Sequence, residues 1–526
     1  MWYRSSVRPA LVVAAFCGAL LAVAGAAAHP ERPSSFPDPA LGKVPAYRTT
    51  GPALVVCKPD SRARVLRLKP GAARTRSLAL LSQCRFEHIQ AAVQEAASGA
   101  RILVLPGVYR EEPSRAHPTP DPACDADRMQ NSYGTGLILG YRGQLRCPHE
   151  ENLIAILGDS DDDGRCDAKC GIQLEGTGAA PADVLLVGDQ RKNNTIRADH
   201  ADGVLLRNFT VQYSDANNVY VLETNGFRFD RIVSRWSREY GFLTFVSDNG
   251  LYENLVAYGN GDSGIYPGSG PEGNCTRYGI EIRNVDSYGN LLGYSGTAGN
   301  GIWVHDSRFH GNAVGLSMDS AFPGHPGMPQ DCAKFERNEI YSNNLDLYDS
   351  TRDRYCRVAY ADRDPKVVCP TVPVPVGTGM IIVGGNRNLV RGNRFWDNWR
   401  SGTRLYWVPA LNRGETDPAK IFDTSNGNRY VANRMGVNRS GARDPNGVDF
   451  WWDEEGVGNC WQVNVGPGGA RPTSDPKKLP SCPNRAPFRK ANDKKFFELV
   501  ACANWNPLTQ PDPPGCPWLR APREPR

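Results

Sequence analysis

The sequence predicts an all-β solenoid, a coil of short strands stacked on copies of itself. Three observations predict it. From about residue 200 the chain repeats, and the aligned third positions of its units are Asn208, Arg231, Asn254, Asn284, Asp306, Asn338, Asn393 and Asn433. Their intervals are 23, 23, 30, 22, 32, 55 and 40 residues. A base period of 22–23 with insertions marks a stack of structural repeats. Each unit alternates apolar and polar residues over only three or four positions. A segment that short cannot bury its own face and must stack on its neighbours. Most units also carry a second asparagine (Asn260, Asn290, Asn312, Asn343, Asn398, Asn438) and then a glycine before an apolar pair, as in Gly264-Ile265, Gly293-Tyr294, Gly315-Leu316 and Gly402-Thr403. Asparagine suits a corner, because it tolerates left-handed backbone and its amide can bond to an equivalent asparagine above. Glycine at the next corner is expected to serve the same backbone need. The units lack a helical period, which excludes an α-solenoid, and a propeller would need about 40 residues per unit.

The elements follow in order. Arg4 and Arg8 precede an apolar run over 10–23, and Ala26-Ala27-Ala28 offers a cleavage site. Residues 1–28 therefore read as a secretory signal peptide and the mature chain as secreted. A membrane anchor would need about 20 strongly apolar residues, and no other stretch is apolar enough to span. Loss of this segment removes two arginines and no acids, taking the charge from +5 to +3, too small for a dedicated nucleic-acid binder. It also removes Cys17, leaving fourteen cysteines and up to seven disulfides, with sequence neighbours the natural partners. Residues 29–84, rich in Pro and Arg, read as an extended N-terminal segment. Over 85–98, Phe86, Ile89, Val93 and Ala96 recur at helical spacing and Gly99 ends the helix. A strand over 102–105, a turn at Pro106-Gly107 and Val108-Tyr109 follow. The solenoid is expected to run over 85–462, and the Pro-rich residues 463–526 to wrap its outside, tied by Cys482, Cys502 and Cys516.

The opening over residues 89–110 and the Asn-punctuated repeat resemble the right-handed parallel β-helix proteins of the pectin-lyase-like family, over roughly residues 86–460. The resemblance implies a helix capping the first coil. It also implies a polysaccharide partner, since that family includes polysaccharide lyases, polygalacturonases, pectin esterases, uronate epimerases and non-catalytic binding proteins. Tyr240-Gly241-Phe242-Leu243-Thr244-Phe245 resembles the mannuronan C5-epimerase motif in which Tyr-Gly-Phe is followed by Asp-Pro-His. Leu243 and Phe245 stand at the Asp and His positions and cannot move protons. The polygalacturonase series is also missing.

Four groups of residues are candidates for chemistry. Asp159, Asp161, Asp163 and Asp167, with Gly164, match the D-x-D-x-D-G-x-x-D spacing of a calcium loop, calcium being the expected ion. The position-twelve glutamate of an EF-hand is replaced by Cys170, and the alternative is a solvated acidic turn. If Ile265, Tyr294 and Leu316 point inward, Tyr266, Ser295 and Ser317 point outward, with Asp262 before this column and Asp319 at its far end. Insertions over 267–278 and 320–332, the second with His325 and Asp331, would overhang that face. Asp262, Asp319, Asp331 and His325 are thus the catalytic candidates and Tyr266 a substrate contact; paired carboxylates suit glycoside hydrolysis, and corner hydrogen bonding is the alternative. Of the tryptophans over 396–461, Trp396, Trp399 and Trp407 are the candidate sugar platforms, or else they close the end of the solenoid. A monomer is expected.

Overall fold

The structure, a computed structural model, describes residues 34–526 apart from 111–118, 131–136, 272, 487–491, 493, 496–497, 499–501 and 503–515. The signal-peptide expectation falls outside the described residues.

One side of the molecule is an eleven-stranded, wholly parallel sheet. Its strands run, coil by coil, through Asn152–Leu157, Asn194–Asp199, Asn217–Leu222, Tyr240–Phe245, Ser263–Gly268, Leu292–Thr297, Val314–Asp319, Thr378–Val383, Ser401–Tyr406, Phe450–Trp452 and Ser474–Asp475. Two further parallel ladders run as separate rows through Arg101–Val104 and Gln173–Gly176 and through Gly107–Tyr109 and Val184–Val187, merge in the long strands Val204–Gln212 and Asn225–Arg235, and separate again. Each coil thus contributes one strand to each of three faces. The chain is a right-handed parallel β-helix.

The period-2 alternation sets what is inside. Ile265, Tyr294, Leu316 and Met380 lie in register on successive coils, all at most 1% exposed and all in the central apolar column. Burying each such side chain is worth about 1.5–3 kcal/mol, so stability accumulates coil by coil.

Two kinds of corner explain the asparagines. Asn208, Arg231, Asn254, Asn284 and Asp306 have φ of 50–58°, a left-handed kink between two strand segments. The register carries this position on to Arg337, Gly392 and Ala432, each one residue before the asparagine of the repeat, and then to Val463. Asn338, Asn393 and Asn433 belong instead to a buried ladder. Each donates its amide to the next asparagine's Oδ1 at 2.9–3.1 Å, ending at Asn464. The alignment slips there because asparagine is suited to both positions. A second ladder runs Asn260, Asn290, Asn312, Asn343, Asn398 and Asn446. Asn446 takes the place expected for Asn438, whose Oδ1 instead accepts from Ser440 and Ala442 in an exposed turn. The corner glycines are needed for a different reason from the one expected. Gly315 is absent from the positive-φ residues, and a Cβ there would lie 2.4 Å from the Gly379 carbonyl.

At the N-terminal end the helix Ile89–Glu95 buries Ile89, Ala92 and Val93 against the first coil. It is shorter than its spacing predicts, because Cys84–Phe86 pairs as a strand with Ala53–Val56. Residues 29–84 are likewise not simply extended: besides that first strand they hold the helices Ser61–Arg67 and Ala72–Leu80. These helices bury few residues, so no apolar stripe marked them in the sequence. At the other end Trp461 stacks on Tyr430, with centroids 5.2 Å apart, and packs on Trp452. All fourteen cysteines of the described residues pair with their sequence neighbour: Cys57–Cys84, Cys124–Cys147, Cys166–Cys170, Cys275–Cys332, Cys356–Cys369, Cys460–Cys482 and Cys502–Cys516. No helix of the described residues is long and apolar enough to cross a membrane.

Candidate functional site

The outer face of the eleven-stranded sheet changes character along its length. One outward column reads Arg197, Tyr220, Leu243, Tyr266, then Ser295 and Ser317, then Ile381, Arg404 and Trp451. The large side chains at both ends are covered. Tyr220, Leu243, Phe245, Tyr240 and Tyr266 form one apolar cluster against Phe36. Ile381, Tyr406 and Trp451 form another beneath Trp518 and Leu519 of the C-terminal segment. Between the clusters the side chains are short, and polar groups converge there.

Tyr266, the last ring of the first cluster, borders this stretch. Its hydroxyl lies 3.3 Å from His325 Nε2, and its ring packs on Tyr240 with centroids 4.8 Å apart. His325 Nδ1 lies 3.1 Å from the Phe322 carbonyl, which can only accept. The proton is therefore on Nδ1, and Nε2 accepts from Tyr266. Burial holds the His325 pKa down at about 4, so the ring is a neutral acceptor at physiological pH. Burial also pushes the Tyr266 and Tyr240 hydroxyls well above the ordinary tyrosine range.

Two carboxyls flank this pair. Asp319 closes the strand Val314–Asp319, accepting from Thr297 Oγ1 at 2.8 Å and from the Ala321 amide at 3.1 Å. Asp262 precedes the strand Ser263–Gly268, its Oδ1 accepting from Ser263 Oγ at 2.7 Å and its Oδ2 from Thr371 Oγ1 at 2.6 Å. Burial raises both to about 6, outweighing the hydroxyl and amide donors; the charges of Glu239 and Asp319 add to the rise at Asp262. The partners that lower these two pKa values include the hydroxyls of Thr371 and Ser263 at Asp262, and the Thr297 hydroxyl and Ala321 amide at Asp319.

The tertiary structure thus brings together Asp262, Asp319, His325 and Tyr266. Asp331 is drawn away: Arg387 Nε donates to its Oδ1 at 2.9 Å, beside the Cys275–Cys332 bridge. The three tryptophans lie on separate elements. Trp396 is 6% exposed, with its ring parallel to Tyr341 at 4.3 Å, so the stacked face is taken by protein. It belongs to a row of stacked rings, Tyr258, Tyr288, His310, Tyr341 and Trp396. Trp399 is held at a corner by Asp397, at 2.7 Å, and Trp407 stacks on Phe422. Sequence reasoning missed Thr297 and Thr371, since a lone threonine in a strand or insertion carries no pattern.

The acidic loop lies elsewhere. The ligand oxygens of Asp159, Asp161 and Asp163 lie within 4.8 Å of one another. Asp159 accepts from the amides of Asp162 at 2.6 Å and Gly164 at 2.7 Å, which closes the turn. Asp167 stands apart from the trio, turned to Ser160 by bonds of 2.7 and 2.8 Å. The charge of Asp163 pushes the Asp161 carboxyl up, the repulsion a bound cation would relieve. These oxygens fit a hard divalent cation such as calcium.

No family model and no curated protein matches this chain. Solved structures do. The chain is similar to the A-module of mannuronan C-5 epimerase AlgE4 of Azotobacter vinelandii, at 12% identity and a TM-score of 0.43 over 73% of this chain and 84% of that one. It is similar to pectate lyase Pel9A at 13% identity and a TM-score of 0.33, over 82% of each chain. It is also similar to an alginate lyase of Paenibacillus sp. str. FPU-7, at 12% identity and a TM-score of 0.30 over 69% and 95%.

Chemically, the site offers two carboxyls that change charge near pH 6, a neutral imidazole acceptor and a tyrosine hydroxyl. Groups tuned toward the working pH are suited to proton transfer.

Proposed function

We propose that this protein is a secreted polysaccharide-active enzyme that hydrolyses glycosidic bonds at the outer face of the eleven-stranded sheet. The observation that carries the reading is the pair of buried carboxyls, Asp262 and Asp319, raised to about 6 beside the Tyr266–His325 hydrogen bond. A carboxyl in that range can donate a proton to the leaving glycosidic oxygen while its ionised partner acts on water or the sugar. Beside Tyr266 the outward column continues in the short side chains of Ser295 and Ser317. The seven disulfides fit an oxidising, extracellular compartment. Calcium at Asp159, Asp161 and Asp163 would serve the fold.

The test is turnover by the mature protein on neutral and uronate-containing polysaccharides, following reducing ends and unsaturated-product absorbance, with Asp262→Asn/Asp319→Asn as control. Reducing ends without unsaturated product, lost in the control, support hydrolysis. Unsaturated product would make it a lyase. Retained binding with no turnover would make it a non-catalytic binding protein.

A further inference from the structure

Asp262 is held from two sides. Its own strand supplies Ser263, at 2.7 Å on Oδ1. The other donor, Thr371, is 109 residues away and belongs to the insertion over 342–377, between the strands Glu339–Tyr341 and Thr378–Val383. We propose that Thr371 is a positioning residue for Asp262, delivered by that insertion, and that it makes the behaviour of the site depend on the insertion being seated. The inference rests on the reading of Asp262 as part of the working site.

The geometry is specific. Thr371 Oγ1 donates to Asp262 Oδ2 at 2.6 Å, and the Thr371 amide donates to the Gly261 carbonyl at 3.2 Å. The insertion seats on the backbone of Gly261: a Cβ there would lie 2.5 Å from the Cys369 carbonyl and 2.2 Å from the Arg238 carbonyl. Only glycine permits that approach. Thr371 is itself fixed. The Cys356–Cys369 bridge closes the loop two residues before it. Tyr348 Oη donates to the Val372 carbonyl at 2.6 Å and accepts from the Val374 amide at 3.1 Å. Tyr360 Oη, earlier in the insertion, donates to the Trp236 carbonyl at 2.8 Å.

A hydroxyl donor favours the ionised carboxylate. It opposes burial and the negative charges of Glu239, one coil before Asp262, and Asp319, two coils after it. Tyr240, Tyr266 and Tyr348 also feel Asp262, and burial keeps their hydroxyls neutral; Arg238 is paired with Glu239. Without Thr371, Asp262 stays protonated to higher pH and its Oδ2 is unheld.

The experiment compares the full mature protein with Thr371→Val, nearly isosteric, and Thr371→Ser, which restores the hydroxyl. Two readouts are taken: the side-chain carboxyl carbon of Asp262 titrated by NMR, assigned with Asp262→Asn, and the acid limb of the pH–rate profile on any substrate the activity screen yields. Thr371→Val is expected to move the Asp262 titration upward by about 1 pH unit, the effect of one charge-assisted hydrogen bond, with the acid limb following. Thr371→Ser is expected to return both to the wild-type position. An Asp262 titration unmoved in a folded Thr371→Val protein overturns the proposal. A shifted titration with no turnover on any polysaccharide upholds the Thr371–Asp262 coupling and overturns only the enzymatic reading. If Thr371→Val does not fold, Thr371→Ala read by the same titration decides.

Discussion

Tyr266 donates its hydroxyl proton to His325 across 59 residues of sequence, Oη to Nε2 at 3.3 Å. Tyr266 comes from a strand of the sheet, and His325 from the loop that follows the strand two coils further on. The Phe322 carbonyl fixes the histidine tautomer, so this bond has one direction.

Tyr266→Phe and His325→Ala each remove one half of that bond without cutting into the central apolar column. Turnover is expected to fall about 10²–10⁴-fold in either variant, the usual contribution of one acid–base group. The double variant is expected to lose little more than either single one. Steady-state kinetics beside unchanged circular dichroism checks this; additive losses would show that the two residues do not act together.

Asp319 links activity to pH-dependent stability. Its folded pKa is raised from 3.8 to about 6, so the fold favours the protonated carboxyl. That stability is fully present below the unfolded pKa and is lost as pH rises through about 6. A rise of this size corresponds to about 3 kcal/mol. Asp319→Asn stays neutral at every pH. Its melting temperature is expected to exceed wild type at about pH 8, and the difference to vanish near about pH 4, while turnover is lost. Equal melting temperatures at both pH values would contradict the raised pKa.

The buried amide ladder is expected to be stability-critical. Asn312 donates to Asn343 and the Ser287 carbonyl and accepts from the Asn290 amide and side chain. Asn312→Ala leaves those buried groups unsatisfied and is expected to cost about 3 kcal/mol, measured by chemical denaturation. Asn438→Ala, in the exposed turn, is expected to change stability by less than about 0.5 kcal/mol.

Calcium is expected to raise the melting temperature of the wild-type protein and chelator to lower it. Asp161→Asn and Asp163→Asn are the discriminating variants, because Asp159 closes the turn through backbone amides whether or not a cation is bound. Either substitution relieves like-charge repulsion and is expected to abolish the calcium response without unfolding the loop. Calorimetric titration with calcium alone checks this, and a melting temperature indifferent to chelator would leave Asp159–Asp163 a solvated turn.

The sequence by itself determined the coil and its inward residues, while the pairing of the cysteines was settled in three dimensions. A period of 22–23, period-2 alternation and Asn-marked corners are local patterns, and local patterns survive in one dimension. Ile265, Tyr294 and Leu316 face inward because alternation leaves no other choice. The pattern was legible less finely at the corners, where asparagine fits both the left-handed kink and the buried ladder, so Asn338 was aligned one residue late and Asn438 stood in for Asn446. What only the tertiary structure decided is which side chains meet on the outer face. Asp262, Tyr266, Asp319 and His325 were visible as residue types, but insertions of unrelated length set where they converge. The same loops sent Asp331 to Arg387, turned the ring of Trp396 onto Tyr341 and brought Thr371 to Asp262. Repeats dictate a backbone because neighbouring coils constrain each other; the loops between them are free of that constraint, and only packing in three dimensions says where they land.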